Sequence, residues 1–469
     1  MKHLLPLCLL VVLASCGKKD KPENLVFFSG QIVHPTSDYV VLHKGDEVID
    51  SAKLDKNNRF SIEIENLEPG LHHFQHAPEY QYVYLEPGDS ILIRLNTMAF
   101  DESLAFFGSN EQINNFLIEM YLSHEDEEEL ISTYYRLSPE EFRHKMDSLR
   151  DMKMEELQTL LNEVEMSEEA REMGQAVIDF GNYVYREKYP FVHKKKMKDV
   201  GFPQLPKDFY AYRSELNVSS EQLSYLEPYY DFLKYHFGNL TYMACMDTCA
   251  VAKPSQKDFL HLNTHKLRLI DSMVDQETLK NNLMRNVALD YLIKVHRADP
   301  QTEDFIALYE GFSSHQGHKE EIRVKFKGIQ ELQFGAPLPA VKVWGMDNNQ
   351  VSFPQISKGK HTLFYFWSGR QMGHFKNVTR QLDSLQSKRP DWQFVGINLE
   401  TSDQEWRGMV RKMQVDTALQ FRVSDSDQIR HLLHDLNQCI IAQDTIVLNG
   451  FAHMKRTPLL QGSQELASQ

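Results

Sequence analysis

The hydrophobic period changes twice along this 469-residue chain, so no single layer of secondary structure can satisfy all of it. From Asn24 to about Gly108 the chain runs in short stretches rich in β-branched and aromatic residues: "LVFFSGQIV", "YVVLHKG", "EVIDSAKL", "RFSIEI", "HHFQHA" and "QYVYLEPGDSILIRL". Turn signals such as "DKNN" and "EPG" separate them. Strands and turns at this spacing predict a β-sandwich of about seven strands. Pro87-Gly88 is expected to turn a hairpin within "YLEPGDSILIRL". From Glu111 to about Gly317 the period becomes helical. "INNFLIEMYL" puts Ile113, Phe116, Leu117 and Met120 on one face, and "EEFRHKMDSLRDMKMEELQTLLNEV" puts Phe142, Met146, Leu149, Met152, Leu157 and Leu161 near one stripe. Further helices are expected around "EQLSYLEPYYDFLKYHF", "DFLHLNTHKLRLIDSMV" and "LKNNLMRNVALDYLIKVH", without a fixed repeat.

From about Phe334 the two periods alternate. "VKVWGMDNNQVSF" predicts a hairpin turning at Asp347-Asn348-Asn349, and "HTLFYFW" is a near-continuous apolar run, as in strands buried on both faces. "HFKNVTRQLDSLQSK" is amphipathic, "WQFVGINLE" is a second buried strand, "DQEWRGMVRKMQ" and "DQIRHLLHDL" read as helices, and "CIIAQDTIVLNGFA" as a closing hairpin. The result is a mixed α/β sheet.

The formal net charge of -15 disfavours nucleic acid as a partner, since phosphate binding needs a concentrated basic surface. The densest basic stretch, "HKKKMK" from His193, reads as solvated. The first residues, "MKHLLPLCLLVVLASCGKKD", place a basic residue before an apolar run too short to span a bilayer, as in a secretory signal. Leu13-Ala14-Ser15-Cys16 resembles a bacterial lipobox, which implies cleavage before Cys16 and lipid on that cysteine. Acyl chains there would hold the protein on a membrane, each buried methylene adding about 0.8 kcal/mol.

Five cysteines are present, and Cys245, Cys249 and Cys439 remain after the signal and anchor. An oxidising compartment permits a Cys245–Cys249 disulfide. Their spacing suits a bridge only in a loop, because a helix holds residues four apart too far from each other. Two thiols or a metal pair are the other readings, and two cysteines without a second pair do not make a zinc motif. No metal or cofactor is expected. His72, His73 and His76 in "LHHFQH" read as polar residues of an edge strand, and "HEDEEEL" from His124 as a solvated helix face. The tyrosines of "NYVYREKYPFVH" and "YLEPYYDFLKYHFGNLTY" fit a helix core with hydroxyls at its rim, the alternative being a ligand groove.

On "FGAPLPAVKVWGMDNNQVSF", "GKHTLFYFW" and "WQFVGINLE", the stretch from Phe334 to about His453 resembles a thioredoxin-like domain of the TlpA type. The resemblance implies a Trp-Cys-x-x-Cys turn after the strand ending in Phe366-Trp367. The tryptophan of that turn falls on Arg370, and its cysteines fall on Gln371 and His374. The family's cis-proline falls near Leu436. The β-rich segment, best in "LEPGDSILIRLNT", resembles the sandwich modules that precede such domains in envelope lipoproteins.

The expected fold is multidomain α+β, with an N-terminal β-sandwich, a central irregular α-helical domain and a C-terminal thioredoxin-like α/β domain. The boundaries are a signal over 1–15, a lipidated tether over 16–23, a sandwich over 24–108, a helical domain over 109–325 and a thioredoxin-like domain over 326–469. Thiol exchange needs a thiolate of lowered pKa at a helix N-terminus and a resolving thiol, and neither Gln371 nor His374 supplies one. The expected function is binding or scaffolding of an unidentified protein or peptide by a lipid-anchored envelope protein, on the outer membrane facing the periplasm. The residues of interest are Cys16, the degenerate turn of Trp367, Arg370, Gln371 and His374, and the pair Cys245 and Cys249. The alternative is a thiol-disulfide oxidoreductase acting through non-standard cysteines.

Overall fold

The computed structural model describes residues 24–198, 201–248, 256–413 and 415–454. Cys16, with the signal and tether, and Cys249 lie outside the described residues. The chain divides into two compact units, Met1–His236 and Phe237–Gln469. The division falls inside a helix, so the helical stretch is shared between both units.

The first unit opens with strands β1 (Val26–Val33), β2 (Tyr39–Lys44), β3 (Glu47–Lys53), β4 (Arg59–Ile64), β5 (Gly70–His76), β6 (Glu79–Leu85), β7 (Ser90–Asn96) and β8 (Ala105–Gly108), with the short helix α1 (Phe100–Ser103) before β8. They form two four-stranded sheets, ordered β4-β1-β7-β8 and β3-β2-β5-β6. Alternation along each strand sends Phe28, Phe60 and Ile93 of one sheet and Leu42, Phe74 and Val83 of the other into one shared core.

Two expectations fail here. β6 and β7 are not a hairpin, because they belong to different sheets; β7 pairs with β1 in parallel from Phe27↔Ser90 and with β8 antiparallel. The Pro87-Gly88 turn instead carries the chain between sheets. Its end is tied by the Asp89 carboxylate, which accepts from the Glu86 N–H at 2.7 Å and from Asn110 Nδ2 at 3.0 Å. Nor are the histidines edge residues. β5 lies between β2 and β6, and His72 and His76 are buried. His76 Nε2 accepts from the Thr36 N–H at 3.0 Å, and its Nδ1 bonds the Tyr39 carbonyl at 3.0 Å. Burial lowers both imidazoles, His72 to about 4.

Helices α2 (Glu111–Tyr134), α3 (Pro139–Glu163), α4 (Glu168–Met197) and the start of α5 (Glu227–Thr248) complete this unit. Ser138 and Glu141 form a capping box at the start of α3. Ile113, Phe116, Leu117 and Met120 of α2 are buried, as are Phe142, Met146 and Leu157 of α3; Met152 is exposed. Two adjacent amides at the start of α2 finish both sheets. The side chain of Asn114 accepts from the Tyr84 N–H at 2.7 Å and donates to the Tyr84 carbonyl at 3.0 Å, along the free edge of β6. Asn115 does the same for Phe106 on β8, at 3.0 Å in both directions. Each amide acts as one residue of an additional strand, satisfying edge groups that another chain would otherwise find.

Glu187 of α4 is fully buried and pairs with Arg213, with His236 Nδ1 at 2.8 Å and with the Tyr212 hydroxyl at 2.8 Å. Burial pushes its carboxyl up, but hydrogen bonds from His236 and Arg213 outweigh burial and hold it below its ordinary value of 4.5.

The second unit contains α6 (Gln256–Met273), α7 (Glu277–Val295), α8 (Pro300–Phe312) and α9 (Gln316–Glu331). These precede β9 (Lys342–Gly345), β10 (Gln350–Ser352), α10 (Phe353–Ser357), β11 (His361–Ser368), α11 (Met372–Lys388), β12 (Trp392–Leu399), α12 (Asp403–Lys412), β13 (Gln420–Arg422), α13 (Asp427–Arg430), β14 (Gln438–Gln443) and β15 (Ile446–His453). The strands make one seven-stranded sheet, ordered β10-β9-β13-β12-β11-β14-β15. β11 is central, parallel to β12 and antiparallel to β14. Its residues Thr362 to Ser368 are all buried; Phe364 and Phe366 enter one core and Leu363, Tyr365 and Trp367 the other. This crossover with an antiparallel hairpin at its side is a thioredoxin-like arrangement. The helix expected over "DQIRHLLHDL" shrinks to α13. Gln438 explains the stop: its side chain accepts from the His434 N–H at 2.9 Å and donates to the Leu432 carbonyl at 3.0 Å, holding that segment as a loop. Among the described residues, no helix is long and apolar enough to cross a membrane.

Asn114→Ala leaves two buried backbone groups unsatisfied and is expected to cost about 2–4 kcal/mol in denaturant unfolding. Asn115, exposed on the same helix, can be replaced by water, and Asn115→Ala is expected to cost less than about 1 kcal/mol. Equal costs would show that these amides do not act as edge partners. A lowered Glu187 carboxyl contributes stability that is present above pH 4.5 and is lost as pH falls through its folded value. Glu187→Gln is therefore expected to lower stability at pH 7 and to flatten the acid-side decline in a pH series of melts.

Candidate functional site

The junction between β11 and α11 is built from short backbone bonds. Ser368 closes it from both ends: its Oγ accepts from the Arg370 N–H at 3.2 Å and its carbonyl from the Gln371 N–H at 3.1 Å. The Gly369 N–H donates to Thr401 Oγ1 at 3.0 Å, tying the turn to the end of β12. A Cβ on Gly369 would stand 2.9 Å from Thr401 Oγ1 and 3.0 Å from Met409 Cε, so close approach demands glycine here. α11 then starts at Met372, with no side chain capping its first turn.

Of the four residues singled out in the turn, Arg370 and Gln371 are exposed and His374 is half-buried. Gln371 and His374 stand three apart at the helix start, on neighbouring positions of one face. Trp367 lies apart from them. It is fully buried and packs on Phe375 with ring centroids 4.2 Å apart. Leu436 packs half-buried against the sheet core. No sulfur reaches this junction from the sheet. Cys439, opposite Tyr365 on β14, is fully buried. Burial, aided by the negative Asp435, pushes its thiol far up, so the thiolate is suppressed. The turn itself displays a guanidinium, an amide and an imidazole at the start of α11, a helix end at which backbone N–H groups can meet an anion.

A second feature, in the first unit, lies where the sequence offered a ligand groove only as the alternative to helix core: Tyr185 and Lys188 of one tyrosine-rich segment and Glu227 and Asp231 of the other line it. A cavity of about 290 Å³ opens between α2, α4 and the start of α5, with Tyr82 of β6 in its wall. Four carboxylates line it, Glu125, Glu128, Glu227 and Asp231, together with Tyr82, Tyr121 and Tyr185; Lys188 is its lysine. Burial, then the neighbouring Asp231, raises the carboxyl of Glu227. Burial also raises the Tyr121 and Tyr185 hydroxyls to about 12, so they remain protonated donors. His124 reaches this wall only because residue 181 of α4 is glycine: a Cβ there would overlap the imidazole. Glu125 and Glu128 come from the acidic run expected to be a solvated face, and both are exposed. The tyrosine-rich segments split their duties. Tyr189 and Tyr229 are fully buried core residues, while Tyr185 faces the cavity.

Of the cysteine pair, Cys245 is buried on α5, and Cys249 is outside the described residues.

No protein-family model matches the chain, and no curated protein matches it. Solved structures do. A thiol-disulfide oxidoreductase from Bacteroides vulgatus aligns at 15% identity, covering 27% of this chain and 92% of that one, with a TM-score of 0.23. A domain of a thiol-disulfide isomerase from Cytophaga hutchinsonii aligns at 19% identity over 29% of this chain and 98% of its own, with a TM-score of 0.25. A thioredoxin-like protein from Bacteroides caccae aligns at 11% identity over 55% of this chain and 96% of its own, with a TM-score of 0.31. The chain is thus similar, over about a quarter to a half of its length, to thioredoxin-like and thiol-disulfide oxidoreductase proteins.

Proposed function

We propose that the protein is a binding protein of the bacterial envelope whose thioredoxin-like domain, of the TlpA type, performs no thiol exchange. One observation carries the reading: Gln371 and His374 stand where the resemblance calls for two thiols, and Cys439, the domain's one cysteine, is fully buried. A redox turn works only with a low-pKa thiolate and a resolving thiol in reach, so the scaffold remains without its reagent. The anchoring part of the proposal rests on Leu13-Ala14-Ser15-Cys16. Lipid on Cys16 would hold the protein on the outer membrane, facing the periplasm, where an unidentified protein or peptide is its partner.

The cavity of the first unit supports the binding reading and suggests its chemistry. Four carboxylates against one lysine, beside three tyrosine rings, suit a cationic group on an apolar body. A basic peptide side chain has that form.

Insulin-disulfide reduction by the chain beginning at Gly17 tests the central claim. The parent is expected to stay at background, and Gln371→Cys with His374→Cys to reduce insulin above it. An active parent sinks the proposal and turns attention to Cys245, Cys249 and Cys439. For the cavity, lysine-rich and glutamate-rich peptides of equal length can be compared by thermal shift. Only the lysine-rich peptide is expected to raise the melting temperature, and Glu227→Gln with Asp231→Asn to abolish the rise. Equal shifts from both peptides would remove the cavity from the reading.

A further inference from the structure

Three ligand-bearing side chains meet in the second unit, away from the turn. Cys245 comes from α5, and His261 and His265 from α6, where a spacing of four residues puts both imidazoles on one helical face. Their donor atoms all lie within 4.8 Å of one another. Cys245 Sγ is 3.6 Å from His265 Nδ1, and the two imidazole centroids are 4.3 Å apart. Cys245 is 1% exposed, and His261 Nε2 is buried without a hydrogen-bond partner. A buried imidazole nitrogen left unbonded beside a sulfur is costly unless something else occupies the space between them.

We propose that Cys245, His261 and His265 bind a tetrahedral divalent metal of the zinc class, with water in the fourth position. The distances fit. A tetrahedral centre with a metal–sulfur bond of about 2.3 Å and a metal–nitrogen bond of about 2.0–2.1 Å has a sulfur-to-nitrogen edge of about 3.6 Å, the separation found between Cys245 and His265. Thiolate and imidazole together select zinc over calcium or magnesium, which take oxygen ligands. On binding, the Cys245 thiol loses its proton to water and the imidazoles bind through neutral lone pairs. Counting cysteines hid this site in the sequence, because two of its ligands are histidines spaced as ordinary residues of an amphipathic helix.

The test uses the full chain in detergent, reduced, stripped with chelator and titrated with Co²⁺. One equivalent is expected to bind with a tetrahedral visible spectrum and a sulfur-to-cobalt absorption, and Zn²⁺ is expected to displace it. Cys245→Ser is expected to abolish the sulfur absorption, and His261→Gln to weaken Co²⁺ binding at least about tenfold, since loss of a partner behind a ligand already costs 10–100-fold. If Cys245→Ser does not fold, His265→Cys decides: a second thiolate should strengthen the sulfur-to-cobalt absorption. Absence of that absorption in the parent, its persistence in folded Cys245→Ser, or no gain in His265→Cys would overturn the proposal. So would non-reducing mass spectrometry that finds Cys245 and Cys249 bridged in protein taken from the envelope, because a disulfide leaves no thiolate for a metal.

Discussion

Two neighbouring amides, Asn114 and Asn115, join the β-sandwich to the helices that follow it. A sandwich of two four-stranded sheets leaves rows of unpaired N–H and C=O groups along its edges, and these must be met by something. At Tyr84 and Phe106 the first helix meets them with side chains that mimic a peptide unit. Docked in this way, α2 presents Ile113, Phe116, Leu117 and Met120 to the interior and carries Tyr121, Glu125 and Glu128 to the cavity wall. The helix that meets the sheet edges is thus also one wall of the cavity. Its acidic character is shared between α2, which brings Glu125 and Glu128, and the start of α5, which brings Glu227 and Asp231.

In the second unit the governing element is β11. Buried on both faces and paired along both edges, it allows no freedom at its C-terminal end, and the chain turns through Gly369, whose N–H donates to Thr401 Oγ1. That geometry depends on backbone contacts and on two small residues, not on the side chains displayed at the turn. The shape of the turn can therefore be kept whatever side chains Arg370, Gln371 and His374 carry, because a fold does not fix the chemistry displayed on it. Cys439 shows the converse: a sulfur in the same domain serves as a small apolar core residue.

Much of the fold was legible because burial imposes a period. Strict alternation marked the sandwich strands, and an unbroken apolar run marked β11. Two of the failures share a cause in partners distant along the chain, and the third has a local one. Pro87-Gly88 reads as a hairpin turn, yet β7 is taken by β1, whose claim cannot be read locally. "LHHFQH" reads as an edge, yet β2 covers one side of it and β6 the other. "DQIRHLLHDL" has helical periodicity, and one side chain beyond it, Gln438, overrides that preference. For the turn, the spacing of Gln371 and His374 was readable, and so was the burial of Trp367 at the end of an unbroken apolar run. The cavity and the Cys245–His261–His265 cluster draw on four and two elements respectively, and no motif spans such distances.

The parallel pairing of β1 with β7 sets an order of events for a chain made from its N-terminus. β1 can pair early with β4, since both have then emerged. Its other edge stays open until Ser90–Asn96 arrives, and β8 must follow before β7 is itself covered. During that interval Phe27, Phe28 and Ile32 border an unclosed sheet, the kind of surface that captures other chains. The first strand thus depends on the seventh to cover its second edge, and long-range pairing of this kind closes slowly.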